Sequence, residues 1–138
     1  MLPSTLHQRI SVNFTAEFRN YFKNKQCELF HALFDVKLKN DKEEYINKVI
    51  PDITVICDKH GLNDKNYIGV PTLIIEILSP SNQSHNLITK MNLYQRFGVK
   101  EYWIVNANLL LASKHKREGI IMRFLHVCFL YTHFSPDI

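Results

Sequence analysis

The chain has 138 residues, 46% hydrophobic and 22% charged, a composition ordinary for a globular domain that does not suggest disorder, and a length that fits one domain, residues 1–138, with little room for a second. Its formal charge of +4 is compatible with a nucleic-acid partner but does not demand one. The three cysteines, an odd number without metal-site spacing, read as reduced thiols. No basic-then-apolar leader is visible at the start, so a cytoplasmic protein is expected.

The first predicted element is a helix over 5–23. Ser4 or Thr5 can cap it. Leu6, Ile10, Phe14, Phe18, Tyr21 and Phe22 recur at three- and four-residue steps and so share one face. His7 and Glu17 fall within the same stripe. The stretch CELFHALFDVKL, residues 27–38, alternates in character and reads as one strand. A charged turn, 40–44, follows it.

DITVIC, residues 52–57, is a second strand. Pro51 can precede it but cannot sit centrally in it. Cys57 fits there as a small buried thiol. Residues 58–69 are polar and rich in turn formers. TLIIEIL, residues 72–78, is almost continuously apolar, as expected of a strand covered on both faces.

SPSNQSHN turns the chain into a helix over 86–97, with Leu87, Met91, Tyr94 and Phe97 on its apolar stripe and Lys90 on the same side. Gly98 stops it. EYWIVN, residues 101–106, is a further strand, and the short helical crossover makes it parallel to 72–78. The expected core includes Ile74, Ile75, Ile77, Met91, Trp103 and Val105. From about residue 107 the pattern weakens. Asn108 to Ala112 and Ile120 to Tyr131 are candidate strands around the basic turn KHKREG. The excess positive charge concentrates there, in Lys114, Lys116 and Arg117. The late apolar stretch, broken by Arg123 and His126, is too short and too polar to span a membrane.

The chemistry concentrates in three residues. Asp52 opens one strand and Glu76 lies late in another. Neighbouring strands run about 4.8 Å apart, so the two carboxylates can share one ion. Hard cations such as Mg²⁺ favour such oxygens. Asp52 also reads as a plain turn residue after proline. Glu76 interrupts LIIEIL, where a carboxylate is costly unless paired, hydrogen-bonded or metal-bound. Lys90 can carry its ammonium across apolar surface to that place and oppose the charge of a phosphoryl transition state. It can equally snorkel outward or simply pair with Glu76.

PDITVICD, then GVPTLIIEILSPSN, then K-x3-Y and GVKEYWIVN resemble the Uma-type restriction-endonuclease family of the PD-(D/E)-x-K nuclease superfamily. The resemblance covers about residues 5–106. It implies a restriction-endonuclease-like α/β fold, a mixed central sheet flanked by helices. It implies a Mg²⁺- or Mn²⁺-dependent endonuclease that hydrolyses phosphodiester bonds, with double-stranded DNA as the expected partner. Asp52 and Glu76 match the metal ligands, helped by the carbonyl of Ile77. The superfamily lysine stands two residues after the acid, where this chain has Leu78; Lys90 on the next helix matches it instead. His7 and Glu28 match a helix histidine and a strand glutamate of the family. Otherwise they read as a core histidine and an edge charge, and Glu17 as an outer ligand or a lysine partner. Residues beyond 106 match the family poorly, a divergent tail. Cutting both strands of a duplex with one site per chain predicts a homodimer, with Ile120 to Tyr131 available for the interface. The competing expectation is an inactive nucleic-acid-binding or protein-interaction domain on the same scaffold.

Overall fold

The computed structural model describes residues 4–78 and 87–106, and the main chain of 129–133. Helix α1 spans Thr5–Phe22. Its N-cap is Ser4, whose side chain accepts the His7 N–H at 3.1 Å. It ends where Asn24 takes a left-handed φ of 61°. Strands β1 (Glu28–His31), β2 (Asp35–Leu38), β3 (Asn47–Val49), β4 (Ile53–Ile56), β5 (Asn66–Gly69) and β6 (Leu73–Leu78) follow, then helix α2 (Leu87–Phe97), β7 (Glu101–Asn106) and β8 (Phe129–His133).

Two sheets form. The larger has the order β1-β4-β6-β7-β8, the smaller β3-β2-β5. The larger sheet is mixed: β6 and β7 are parallel, and its other pairs are antiparallel. The helix between β6 and β7 supplies the crossover that parallel neighbours require.

Alternation along the central strands sorts the core into two layers. Ile53 and Val55 of β4, Leu73, Ile75 and Ile77 of β6, and Val105 of β7 pack with Ile10 and Phe14 of α1. Phe18 and Trp103 join this layer half-buried, their ring centroids 5.6 Å apart. On the other face, Ile56, Ile74, Tyr102 and Ile104 pack with Tyr94 and Phe97 of α2 and with Val36, Leu38 and Tyr67 of the smaller sheet. Met91 packs on that layer half-buried. A sheet covered on both sides needs the nearly continuous apolar run of β6.

The end of α2 is fixed by its main chain. Gly98, at φ 86°, donates to the Gln95 carbonyl, and Val99 donates to that of Tyr94, both at 3.0 Å. This is the paired closure of a Schellman motif, and buried Val99 anchors it.

Three expectations are corrected. Residues 27–38 are not one strand. β1 stays with β4, and the chain then turns at Leu33, which is 91% exposed, so that β2 can pair with β3 and β5. Alternation looks the same whether the residues share one sheet or two, because its period reports only the side-chain face. The polar segment 58–69 contains β5, and β3 was not anticipated at all; both are short strands with few apolar residues. Gly61 lies so close to β5 that a Cβ there would meet the Ile68 carbonyl, which explains the turn residue.

The third correction concerns the cysteines. Cys27 and Cys57 form a disulfide. The Ala32 N–H donates to the Asp52 carbonyl, and stepping by two places Glu28 and Ile56 in the same hydrogen-bonded class. The next pair outward, Cys27 and Cys57, then takes a non-hydrogen-bonded position, where opposing residues approach most closely. Residues 107–128, with the basic turn and most of Ile120 to Tyr131, lie outside the described residues; β8 takes up the end of that apolar stretch.

Candidate active site

The candidate site lies where β4 begins and β6 nears its end. In the antiparallel register Ile53 faces Ile75. Continuing that register by one residue brings Asp52, just before β4, alongside Glu76, near enough for its charge to act on the Glu76 carboxyl. The Asp52 carboxylate reaches past the start of β4: its Oδ2 accepts the Ile77 N–H at 2.7 Å. A strand residue directs its N–H and C=O to the same edge, so the Ile77 carbonyl faces that edge too. The other oxygen, Oδ1, lies 3.1 Å from His7 Nε2. Capping by Ser4 fixes the first turn of α1 and with it the position of His7.

His7 is buried, and among the described residues its Nδ1 has no partner. Of the two tautomers, the one with its proton on Nε2 donates to Asp52 and leaves no buried N–H unmet. His7 is thus bonded to Asp52, although its place on an apolar helix stripe also makes it part of the core.

Glu76 is 8% exposed and is the only buried carboxylate among the described residues. Lys90 Nζ donates to its Oε1 at 2.9 Å, and the Tyr94 hydroxyl donates to the same oxygen at 3.0 Å. Lys90 and Tyr94 are one helical turn apart on α2, so they present to one place. Burial pushes the Glu76 carboxyl above the usual carboxylate range, and the Asp52 charge adds to this; Lys90 and the Tyr94 hydroxyl oppose it. Burial, reinforced by the Glu76 charge, drives the Tyr94 hydroxyl far up, so it stays protonated and remains a donor. The same two causes raise Tyr102, whose ring meets that of Tyr94 edge-on at 4.9 Å.

His7, Asp52, Ile77, Glu76 and Lys90 are therefore linked through one cluster. Glu28 is not part of it. It stands opposite Ile56, four residues along β4 from Asp52, or about 13 Å. It is exposed and lies 3.4 Å from Lys59. Glu17 is ten residues from His7 on α1, about 15 Å along the axis. Tyr94 is the member that sequence reasoning left without a chemical role, although it stands both on the apolar stripe and in the K-x3-Y of the family resemblance. The signal was the spacing K-x3-Y, which sets a phenol beside the lysine on one helix face.

Among the described residues no three His, Cys, Asp or Glu side chains converge to hold an ion. A hard divalent cation held by one or two carboxylates, with carbonyl, water and phosphate oxygens completing its shell, needs no such trio. Asp52, Glu76 and the Ile77 carbonyl supply donors of that kind. Both bonds to Glu76 fall on Oε1, and among the described residues none falls on Oε2.

Residues 1–118 match the family model Uma2, described as "Putative restriction endonuclease". The chain belongs to the Uma2 family. An uncharacterized protein of Synechocystis, slr1290, is 30% identical over 88 residues, a stretch covering 64% of this chain and 44% of that protein. A crystal structure from Anabaena variabilis, described as a putative nuclease belonging to DUF820, superposes with a TM-score of 0.60 at 21% identity, covering 80% of this chain and 62% of that one. This Uma2 chain therefore has the mixed α/β architecture of that protein, and it spans less than two thirds of each relative. No described helix is long and apolar enough to cross a membrane.

Proposed function

We propose that this Uma2 domain is a metal-dependent nuclease that hydrolyses phosphodiester bonds in double-stranded DNA. The observation that carries the reading is Asp52, just before β4, set near Glu76 of the neighbouring β6, with the Lys90 ammonium 2.9 Å from the Glu76 carboxylate. Asp52 and Glu76, with the Ile77 carbonyl, would hold Mg²⁺ or Mn²⁺. When bound, such an ion supplies Lewis-acid polarisation of the phosphate and a more acidic water.

The protein's own groups do the rest. The Ile77 N–H and His7 hold Asp52 from two sides, so its direction is set before any ligand arrives. Lys90 places a cation beside the two acids. It can orient the attacking water and offset the negative charge that builds on the phosphoryl oxygens. Hydrolysis forms a bond from water oxygen to phosphorus and breaks the P–O3′ bond, leaving a 5′-phosphate and a 3′-hydroxyl. Glu28 is given no part, because it lies at the other end of β4. With one site per chain, cleavage of both strands calls for two copies, so a homodimer is part of the proposal. So is a cytoplasmic location.

One observation favours a second reading, an inactive nucleic-acid-binding or interaction domain. Glu76 already has two partners, so the cluster is satisfied as a structural ion pair. Calorimetric titration with Mn²⁺ separates the two. Wild type is expected to bind, Asp52→Asn to lose binding and plasmid cleavage, and Lys90→Ala to keep most of its affinity while losing turnover. Equal Mn²⁺ binding by wild type and Asp52→Asn would overturn the nuclease reading.

A further inference from the structure

We infer that Tyr94 is a positioning residue that holds Glu76 by Oε1 and so leaves Oε2 as the oxygen that would serve a metal ion. This rests on the metal-site reading above and adds a residue and a division of labour to it.

The two donors to Glu76 differ in kind. Lys90 ends a flexible chain, and its side chain is 37% exposed. It can leave Glu76 for a phosphate or a water without disturbing the core. Tyr94 cannot move in this way. Its side chain is fully buried, its ring is set edge-on against Tyr102, and it packs with Ile74 and Phe97. The turn that carries it is closed at its C-terminal end by the Gly98 and Val99 bonds, and Val99 bonds to the carbonyl of Tyr94 itself.

A phenol has few rotatable bonds to immobilise, so a buried one holds direction at little entropic cost. If Lys90 were the only tether, engaging substrate would release Glu76 to rotate. With Tyr94 in place, Lys90 is free to serve the reaction while Oε1 stays anchored. The simpler account is that Tyr94 is a core ring whose hydroxyl merely found an acceptor. That account predicts no effect on metal binding when the hydroxyl alone is removed.

Tyr94→Phe makes the separation, with Tyr67→Phe as control. Tyr67 is also buried, but its hydroxyl donates to the Val70 carbonyl just past β5 and not to Glu76. In calorimetric titration with Mn²⁺, Tyr94→Phe is expected to bind about 10–100-fold more weakly, as when other supports of metal ligands are lost. Tyr67→Phe should bind as wild type does. Saturating Mn²⁺ should restore most of the Tyr94→Phe turnover, a split that a misfolded variant would not show. In metal-free protein, the Glu76 carboxylate band in infrared difference spectra, identified by its loss in Glu76→Gln, should shift in Tyr94→Phe. Wild-type affinity and an unshifted band in Tyr94→Phe would overturn the inference while leaving the metal site standing. If wild-type protein binds Mn²⁺ no better than Asp52→Asn does, the site reading itself fails and the inference falls with it.

Discussion

Glu76→Gln tests the electrostatics of the cluster. The substitution keeps the shape of the side chain and an oxygen for Lys90 and Tyr94, but removes the charge. In the metal-free protein that charge is costly. Taking a carboxylate out of water costs several kcal/mol even after relaxation. Two charge-assisted bonds return about 1.5–3 kcal/mol each. Burial is the largest influence and wins, since the Glu76 carboxyl lies above its ordinary range.

The sign follows from proton linkage. A carboxyl whose folded value is raised binds more protons in the folded state than in the unfolded one. Stability therefore falls as pH rises from the unfolded value, about 4.3, through the raised folded one. Below that window Glu76 is neutral in both states and costs nothing. Glu76→Gln should thus equal wild type near pH 4 and be more stable near pH 8. Replacing both members of a buried ion pair with apolar groups gains up to about 1–4 kcal/mol, whereas removing one costs energy only if its partner stays buried. The low end is expected here, because the Lys90 side chain is 37% exposed and regains water easily. The assay is urea denaturation with a chelator present, read as the difference between variant and wild type at each pH, which isolates Glu76 from the other carboxylates. A variant less stable than wild type at pH 8, or a difference independent of pH, would refute the argument.

Two further outcomes concern the scaffold. Reducing the Cys27–Cys57 bond, which closes a separation of 30 residues, should lower stability by up to about 3–4 kcal/mol in the chain-entropy description. Denaturation with and without a thiol reductant measures this, and Cys57→Ser should abolish the difference. Ile75 is fully buried between Ile53 and Trp103 and faces α1; Ile75→Ala should cost about 2–5 kcal/mol, and a loss near zero would mean that this layer is loosely packed.

The sequence by itself determined the elements with strong local signals. α1, α2, β4, β6 and β7 fall within a residue or so of their expected bounds, because each carries a clear period, a cap or a glycine stop. The parallel pairing of β6 and β7 was legible from the helix between them. Asp52, Glu76 and Lys90 were legible as chemistry, since a carboxylate in LIIEIL needs a partner wherever the strand lies. Tertiary structure decided what depends on neighbours distant in sequence. Which sheet takes β2 is set by pairing with β3 and β5, and alternation is blind to that choice. Cys27 meets Cys57 only because the β1–β4 register brings them opposite one another. The same register takes Glu28 to the wrong end of β4. Tyr94 became a partner of Glu76 only when α2 settled on β6, since a ring on an apolar stripe reads as core until the fold shows which acceptor its hydroxyl meets.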